Sequence, residues 1–133
     1  MTIDAKLWCS YSDPHFIFST SDMVGDYAII TAWNPGSILL SKKDNHDKNQ
    51  ELELAFPPVN WAKVKVGDAR FNWYEESYAV ALSMKKSIEL GRIFKQNAIY
   101  YVVNNQLFLI SCHDNKQKKL GDIRERIQQI NRR

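Results

Sequence analysis

The residues of this sequence with the most chemistry to offer are uncharged amides and paired carboxylates, and they gather at the ends of apolar runs. In "YAIITAWNPGS" such a run stops abruptly at Trp33, Asn34, Pro35 and Gly36. Pro35-Gly36 fits a type II turn that reverses the chain, and the Asn34 amide can donate and accept hydrogen bonds at once. Further on, Asn45, Asn49, Leu52 and Phe56 share one helical face at about 100° per residue, which sets two amides on a core-facing stripe. An amide buried without a partner costs about 1–3 kcal/mol, so both must bond to backbone, water or a ligand. "FNWYEESYAV" then places Trp73 beside Glu75, Glu76 and Ser77, and "IFKQNA" adds Gln96. Together these groups are equipped to hold a small polar or nucleotide-like molecule, with hydrogen bonds to its edges and Trp33 or Trp73 stacked on its face. The same amides can instead tie a loop onto a helix and do nothing else. Both readings are open at this level.

Covalent and metal chemistry find no support. Adjacent residues on a strand point to opposite faces, so Glu75 and Glu76 cannot act as a paired acid and base, although one of them can face inward. His15, His46 and His113 sit in turn-like or exposed contexts without a second ligand at helical spacing. Cys9 and Cys112 lie near opposite ends of the chain with no CxxC, and we read them as free, half-buried thiols. There is no glycine-rich phosphate loop, GxSxG elbow or HExxH. We therefore expect no metal, no cofactor and no catalytic residue, and favour a binding module while leaving enzymatic activity open.

A chain of 133 residues, 44% hydrophobic and 25% charged, is long enough to close one core without disulfide staples. One domain over residues 1–133 is the expectation. No basic segment leads into an apolar one at the start and no window approaches a membrane span, which points to a cytoplasmic protein without a membrane partner. The net charge of +3 is uneven, because residues 113–133 hold seven Lys/Arg against three Asp/Glu.

The elements that must position the polar groups follow from periodicity. "HFIFS" reads as a short strand and "DYAIITAW" as a central one. Ser41, with Asp44 three residues on, opens a helix that Pro57-Pro58 ends. Val64 and Val66 alternate with Lys63 and Lys65 as a half-exposed strand broken at Gly67-Asp68, and "ESYAVALS" supplies another. Ser83 caps "MKKSIELGRIFKQN", where Gly91 permits close approach to the sheet and Asn97 reads as the C-cap. "AIYYVV" and "QLFLIS" flank Asn104-Asn105, a hairpin signal. Finally Leu120, Ile123, Ile127 and Ile130, at spacings of three and four, predict a C-terminal amphipathic helix. The fold class is α+β: a largely antiparallel sheet of about five to six strands, two packed helices and that C-terminal helix.

The basic helix carries the competing reading, an interaction protein that meets nucleic acid or an acidic protein surface through Lys116, Lys118, Lys119, Arg124, Arg126, Arg132 and Arg133. Three acids, Asp114, Asp122 and Glu125, are interspersed, and no aromatic residue follows Phe108. Binding to nucleic acid is therefore expected to be weak and non-specific at most. The sequence fixes no oligomeric state.

Taken in order, "TAWNPGS", "N-x-x-x-N-x-x-L" (Asn45, Asn49, Leu52), "W-x-E-E-S" (Trp73, Glu75, Glu76, Ser77) and "F-x-Q-x-A" (Phe94, Gln96, Ala98) resemble a bacterial family, domain-of-unknown-function family 3293, over most of residues 26–111. The resemblance implies that Trp33, Asn34, Pro35, Asn45, Asn49, Glu75, Glu76, Ser77 and Gln96 are a family signature. It brings no activity, substrate or cofactor. The chain departs from the pattern in having Lys95 where members carry glycine before the glutamine, and in its basic tail.

Overall fold

The computed structural model describes residues 3–20, 23–114 and 116–128. The strand Tyr27–Ile30 (β2) is buried along its whole length, as a continuous β-branched and aromatic run requires, and it lies at the centre of the sheet. On one side it pairs with Tyr74–Val80 (β4), which pairs with Trp61–Gly67 (β3) and then His15–Phe18 (β1). On the other it pairs with Ala98–Val103 (β5), followed by Gln106–Ser111 (β6) and Gln117–Asp122 (β7). Every neighbouring pair is antiparallel, and the sheet curls into a half-barrel. Register has a direct consequence for the polar groups. Ile30 faces Tyr78 and Ile29 faces Tyr100, so the end of β2 lies beside the starts of both β4 and β5.

Period-two alternation divides the side chains between two faces. Ala28, Ile30, Tyr78, Val80 and Tyr101 point to the side covered by the helices Lys42–Leu54 (α2) and Met84–Ile93 (α3), which contribute Leu52 and Leu90 to that core. Both helices start as the sequence dictates: Ser41 Oγ accepts from the Asp44 N–H at 3.1 Å and Ser83 Oγ from the Lys86 N–H at 3.2 Å. Gly91 lets α3 settle on the sheet, since a Cβ there would stand 2.7 Å from Cys112 Sγ. Tyr27, Ile29, Ala79 and Leu107 point to the opposite side, with Phe16 and Ile123. There a six-residue helix, Ala5–Ser10 (α1), capped by Asp4 and too short for its periodicity to stand out, lays Trp8 against Leu109.

Three expectations are corrected. The sheet has seven strands rather than five to six. The last aliphatics do pack, with Leu120, Ile123 and Ile127 joining the second core, but no C-terminal α-helix forms within the described residues. Residues 117–122 form β7, Ile123–Arg126 a single 3-10 turn, and Ile127 a parallel bridge to Phe16. A helix there would leave the outer edge of β6 without hydrogen bonds, whereas a strand supplies them, with Gly121 at φ +94° beside the register shift at Leu107–Phe108. Ile130, Arg132 and Arg133 lie outside the described residues. The tail cations are partly committed: Arg124 pairs with Asp122, Arg126 with Asp13, and Lys116 lies over the Trp8 ring. Third, the left-handed residue that ends α3 is Lys95 (φ +58°), not Asn97. The Gln96 N–H closes back on the Gly91 carbonyl at 2.8 Å, a Schellman arrangement.

The Asn104-Asn105 hairpin forms as expected, both residues at positive φ. None of the described helices is long and apolar enough to cross a membrane.

Candidate functional site

The segment after β2 is shaped by backbone that few residues adopt. Asn34, Gly36 and Ser37 all have positive φ, and the Ser37 N–H bonds to the Asn34 carbonyl at 2.9 Å to close the turn around Pro35-Gly36. Such a loop persists only if its surroundings fix it. On its helix side, α2 does so with its two buried amides. Asn49 Oδ1 accepts from the Ala32 N–H at 2.8 Å, while its Nδ2 donates to the Glu76 carbonyl at 2.8 Å, joining the loop to β4. Asn45 Oδ1 accepts from the Asn34 N–H at 2.8 Å, and its Nδ2 donates to Asn34 Oδ1 at 2.9 Å. Asn34 Oδ1 also accepts from the Leu40 N–H at 3.0 Å. From α3, Gln96 Nε2 donates to the Trp33 carbonyl at 3.1 Å and the Lys95 carbonyl accepts from the Gly36 N–H at 2.7 Å.

The other side of the loop is open. A cavity of about 450 Å3 lies on the face away from α2 and α3, walled by α1 and the residues after it, the strands β2, β4 and β5, and the loop itself. Trp33, Asn34, Trp73, Glu75, Ser77 and Gln96 line it. Ile29, Leu7 and Leu109 give it apolar surface, and exposed Leu39 and Trp73 stand at its rim. Glu75 is half-buried there. Its Oε2 accepts from Asn34 Nδ2 at 3.1 Å, and no cation pairs with it among the described residues. Burial pushes its carboxyl up to about 7, with the Asn34 hydrogen bond pulling weakly the other way. Near neutral pH this group can accept, donate or exchange a proton. The Trp33 indole N–H, in the same wall, is buried with no hydrogen-bond partner among the described residues.

The candidates proposed from the sequence therefore divide. Trp33, Asn34, Trp73, Glu75, Ser77 and Gln96 come together around one space, contributed by three separate elements. Asn45 and Asn49 are behind the loop, fully occupied in holding it. Glu76 is exposed on the opposite side of β4 from Glu75, as strand alternation demands.

Several residues that shape the cavity escaped the sequence analysis. Tyr100 lends its ring while its hydroxyl donates to the Tyr11 carbonyl at 2.7 Å. Ser37 and Asn97 line the wall in a chain that runs from His113 Nε2 to Asn97 Oδ1 (2.9 Å), and from Asn97 Nδ2 to Ser37 Oγ (2.8 Å). Tyr11 OH lies 3.0 Å from the same Ser37 oxygen. Alternation in "AIYYVV" puts Tyr100 on the face of Ile29, a usable signal; Tyr11 had none, because α1 is too short. The described residues contain no group of three or more His, Cys, Asp or Glu placed to hold a metal ion.

A family model described as protein of unknown function (DUF3293) matches residues 30–99, just over half of the chain. The matched span runs from the last residue of β2 to the start of β5, so it holds the loop, both amide ties, Glu75 and Gln96, and leaves out α1 and Tyr100. No curated protein and no solved structure matches the chain. On the extent of the family match, the chain belongs to DUF3293, a family of proteins of unknown function.

Proposed function

We propose that this protein is a small binding module whose concave cavity holds a polar, nucleoside-sized molecule. The observation that carries this reading is Glu75, a half-buried carboxyl in a cavity wall with a single hydrogen bond and no counter-ion among the described residues. Desolvating a carboxyl in that way costs stability, and a purely structural network such as the one Asn45 and Asn49 make would have satisfied it. A cavity of about 450 Å3 is within the range of small-molecule sites, and its mix of aromatic walls with a few convergent polar groups is their usual make-up. The unpartnered Trp33 N–H adds a donor that a ligand or a water can satisfy with little movement of the loop.

The competing reading, contact with a partner through a basic C-terminal helix, has less behind it, since residues 117–126 form a strand and one 3-10 turn rather than an amphipathic α-helix, and Arg124 and Arg126 are held by carboxylates.

A fragment library followed by amide chemical shifts in the isotope-labelled protein tests the reading. We expect binders whose shifts concentrate at Trp33, Glu75, Ser77 and Gln96 and which weaken in Glu75→Gln. A library with no binder at those positions would sink the proposal.

A further inference from the structure

The charge lining the cavity is of one sign. The chain as a whole is basic, with 18 Lys and Arg against 15 Asp and Glu, yet Asp13, Asp68 and Glu75 line the cavity and, among the described residues, no Lys, Arg or His does. Of these, Asp13 already has a cationic partner, and Asp68 is exposed, so that water compensates its charge. Asp13 Oδ1 accepts from Arg126 Nη1 at 2.7 Å and lies 3.6 Å from His15 Nε2, and Asp68 Oδ1 accepts from the Asn72 N–H at 3.0 Å. Glu75 is the acid left over. Its Oε2 meets only a neutral amide, its Oε1 takes no hydrogen bond among the described residues, and no cationic side chain reaches it.

The rest of the wall suits a positive charge carried on an organic body. Rings of Trp33, Trp73, Tyr11 and Tyr100 line the same space, and aromatic faces attract cations. Tyr100 has its hydroxyl bonded to the Tyr11 carbonyl, so it offers the cavity a ring rather than a polar tip. A bare metal ion would want several oxygens converging at short range, and the described residues provide no such group. An anionic ligand, a phosphate included, would meet three acidic side chains, and the cation beside them, Arg126, is already bonded to Asp13.

We propose that the cavity takes a small organic cation, an amine or amidine on an apolar or aromatic body, with the Glu75 carboxylate as its counter-ion and Trp33 and Trp73 against its body. This inference rests on the cavity being a binding site, and it narrows the ligand's class from polar to cationic. Glu75 is then a binding residue whose missing partner is supplied by the ligand.

A matched trio separates the two levels of the argument: benzylamine, benzyl alcohol and benzoate, titrated at pH 8 into the full-length protein while amide shifts and tryptophan fluorescence are followed. We expect shifts at Trp33, Glu75 and Gln96 with benzylamine, and binding about tenfold tighter than for the alcohol, with benzoate weakest. Glu75→Gln should bring the amine and alcohol to near-equal affinity, and Glu75→Asp, which keeps the charge, should retain the preference. Should Glu75→Gln not fold, the wild-type ratio and the Glu75→Asp variant still decide the matter. Equal or tighter binding of the alcohol or benzoate, with shifts at the same residues, would overturn the cationic assignment and leave the binding site standing. If none of the three moves those residues, both the assignment and the site reading fail.

Discussion

The two sides of the Trp33–Ser37 loop are built from similar polar residues and end in opposite states. Toward α2, Asn45 and Asn49 donate and accept within hydrogen-bond distance of backbone groups and of Asn34. Toward the cavity, among the described residues, Glu75 keeps one bond and Trp33 Nε1 keeps none. A buried polar group that is fully paired stabilises one conformation, and one left short of partners costs free energy unless something else supplies them. The comparison shows why residue type alone did not separate scaffold from site: the distinction is in the count of unused lone pairs and protons. The loop is rigid on one side so that the other can remain incomplete.

The largest effect should come from the paired side. Asn49→Leu leaves the Ala32 N–H unpartnered and takes from the Glu76 carbonyl one of its two donors, the other being the Thr31 hydroxyl at 2.7 Å, and should lower stability by about 1–3 kcal/mol in a denaturant titration. Wild-type stability in that variant would mean that the amide tie is not what fixes the loop.

Glu75→Gln should have the opposite sign. Because burial raises the Glu75 carboxyl from 4.5 to about 7, the folded state holds a proton that the unfolded chain has already released across that window. Wild-type stability contributed by this group therefore falls as pH rises from about 4.5 to about 7 and stays low above it. The glutamine variant lacks that decline. It should be more stable at pH 8 by about 1–2 kcal/mol, less than the full linkage value because the side chain keeps some solvent contact. Parallel stability–pH curves for the two proteins would contradict the buried, uncompensated carboxyl on which the comparison depends.

A smaller gain is expected at the loop's anchor on α3. Lys95 has φ +58° while its carbonyl holds the Gly36 N–H, a conformation that glycine adopts without steric cost. Lys95→Gly should raise stability by up to about 1 kcal/mol, read as a shift in the denaturation midpoint.

Glu76→Gln is the near-zero case and the sharpest control. It lies next to Glu75 in sequence but is exposed, away from the cavity, and its carbonyl rather than its carboxyl makes the tie to Asn49. Stability should change by less than about 0.5 kcal/mol at any pH. A response like that of Glu75→Gln would mean that the two faces of β4 are assigned the wrong way round.

The sequence by itself determined whatever depends on neighbours a few positions apart. Ser41 and Ser83 mark where α2 and α3 begin, alternation in "NWAKVKVGD" and "ESYAVALS" marks β3 and β4, and Asn104-Asn105 marks the hairpin, because caps, pleats and tight turns are satisfied locally. Spacing also placed Asn45, Asn49 and Leu52 on one buried face, and alternation required that only one of Glu75 and Glu76 face inward. Which glutamate it is, and whether an amide is a tie or part of a site, depended on pairings between distant segments. The end of β2 meets the starts of β4 and β5 only through the antiparallel register at Ile30–Tyr78 and Ile29–Tyr100, and that meeting brings Asn34, Glu75 and Gln96 to one cavity. Likewise, the spacing of Leu120, Ile123 and Ile127 suits a helix, but the unpaired edge of β6 offers a strand hydrogen bonds along its length, and the chain takes them. Periodicity states which residues are buried; only the tertiary structure states which groups remain unpaired once they are, because that depends on partners far away in the chain.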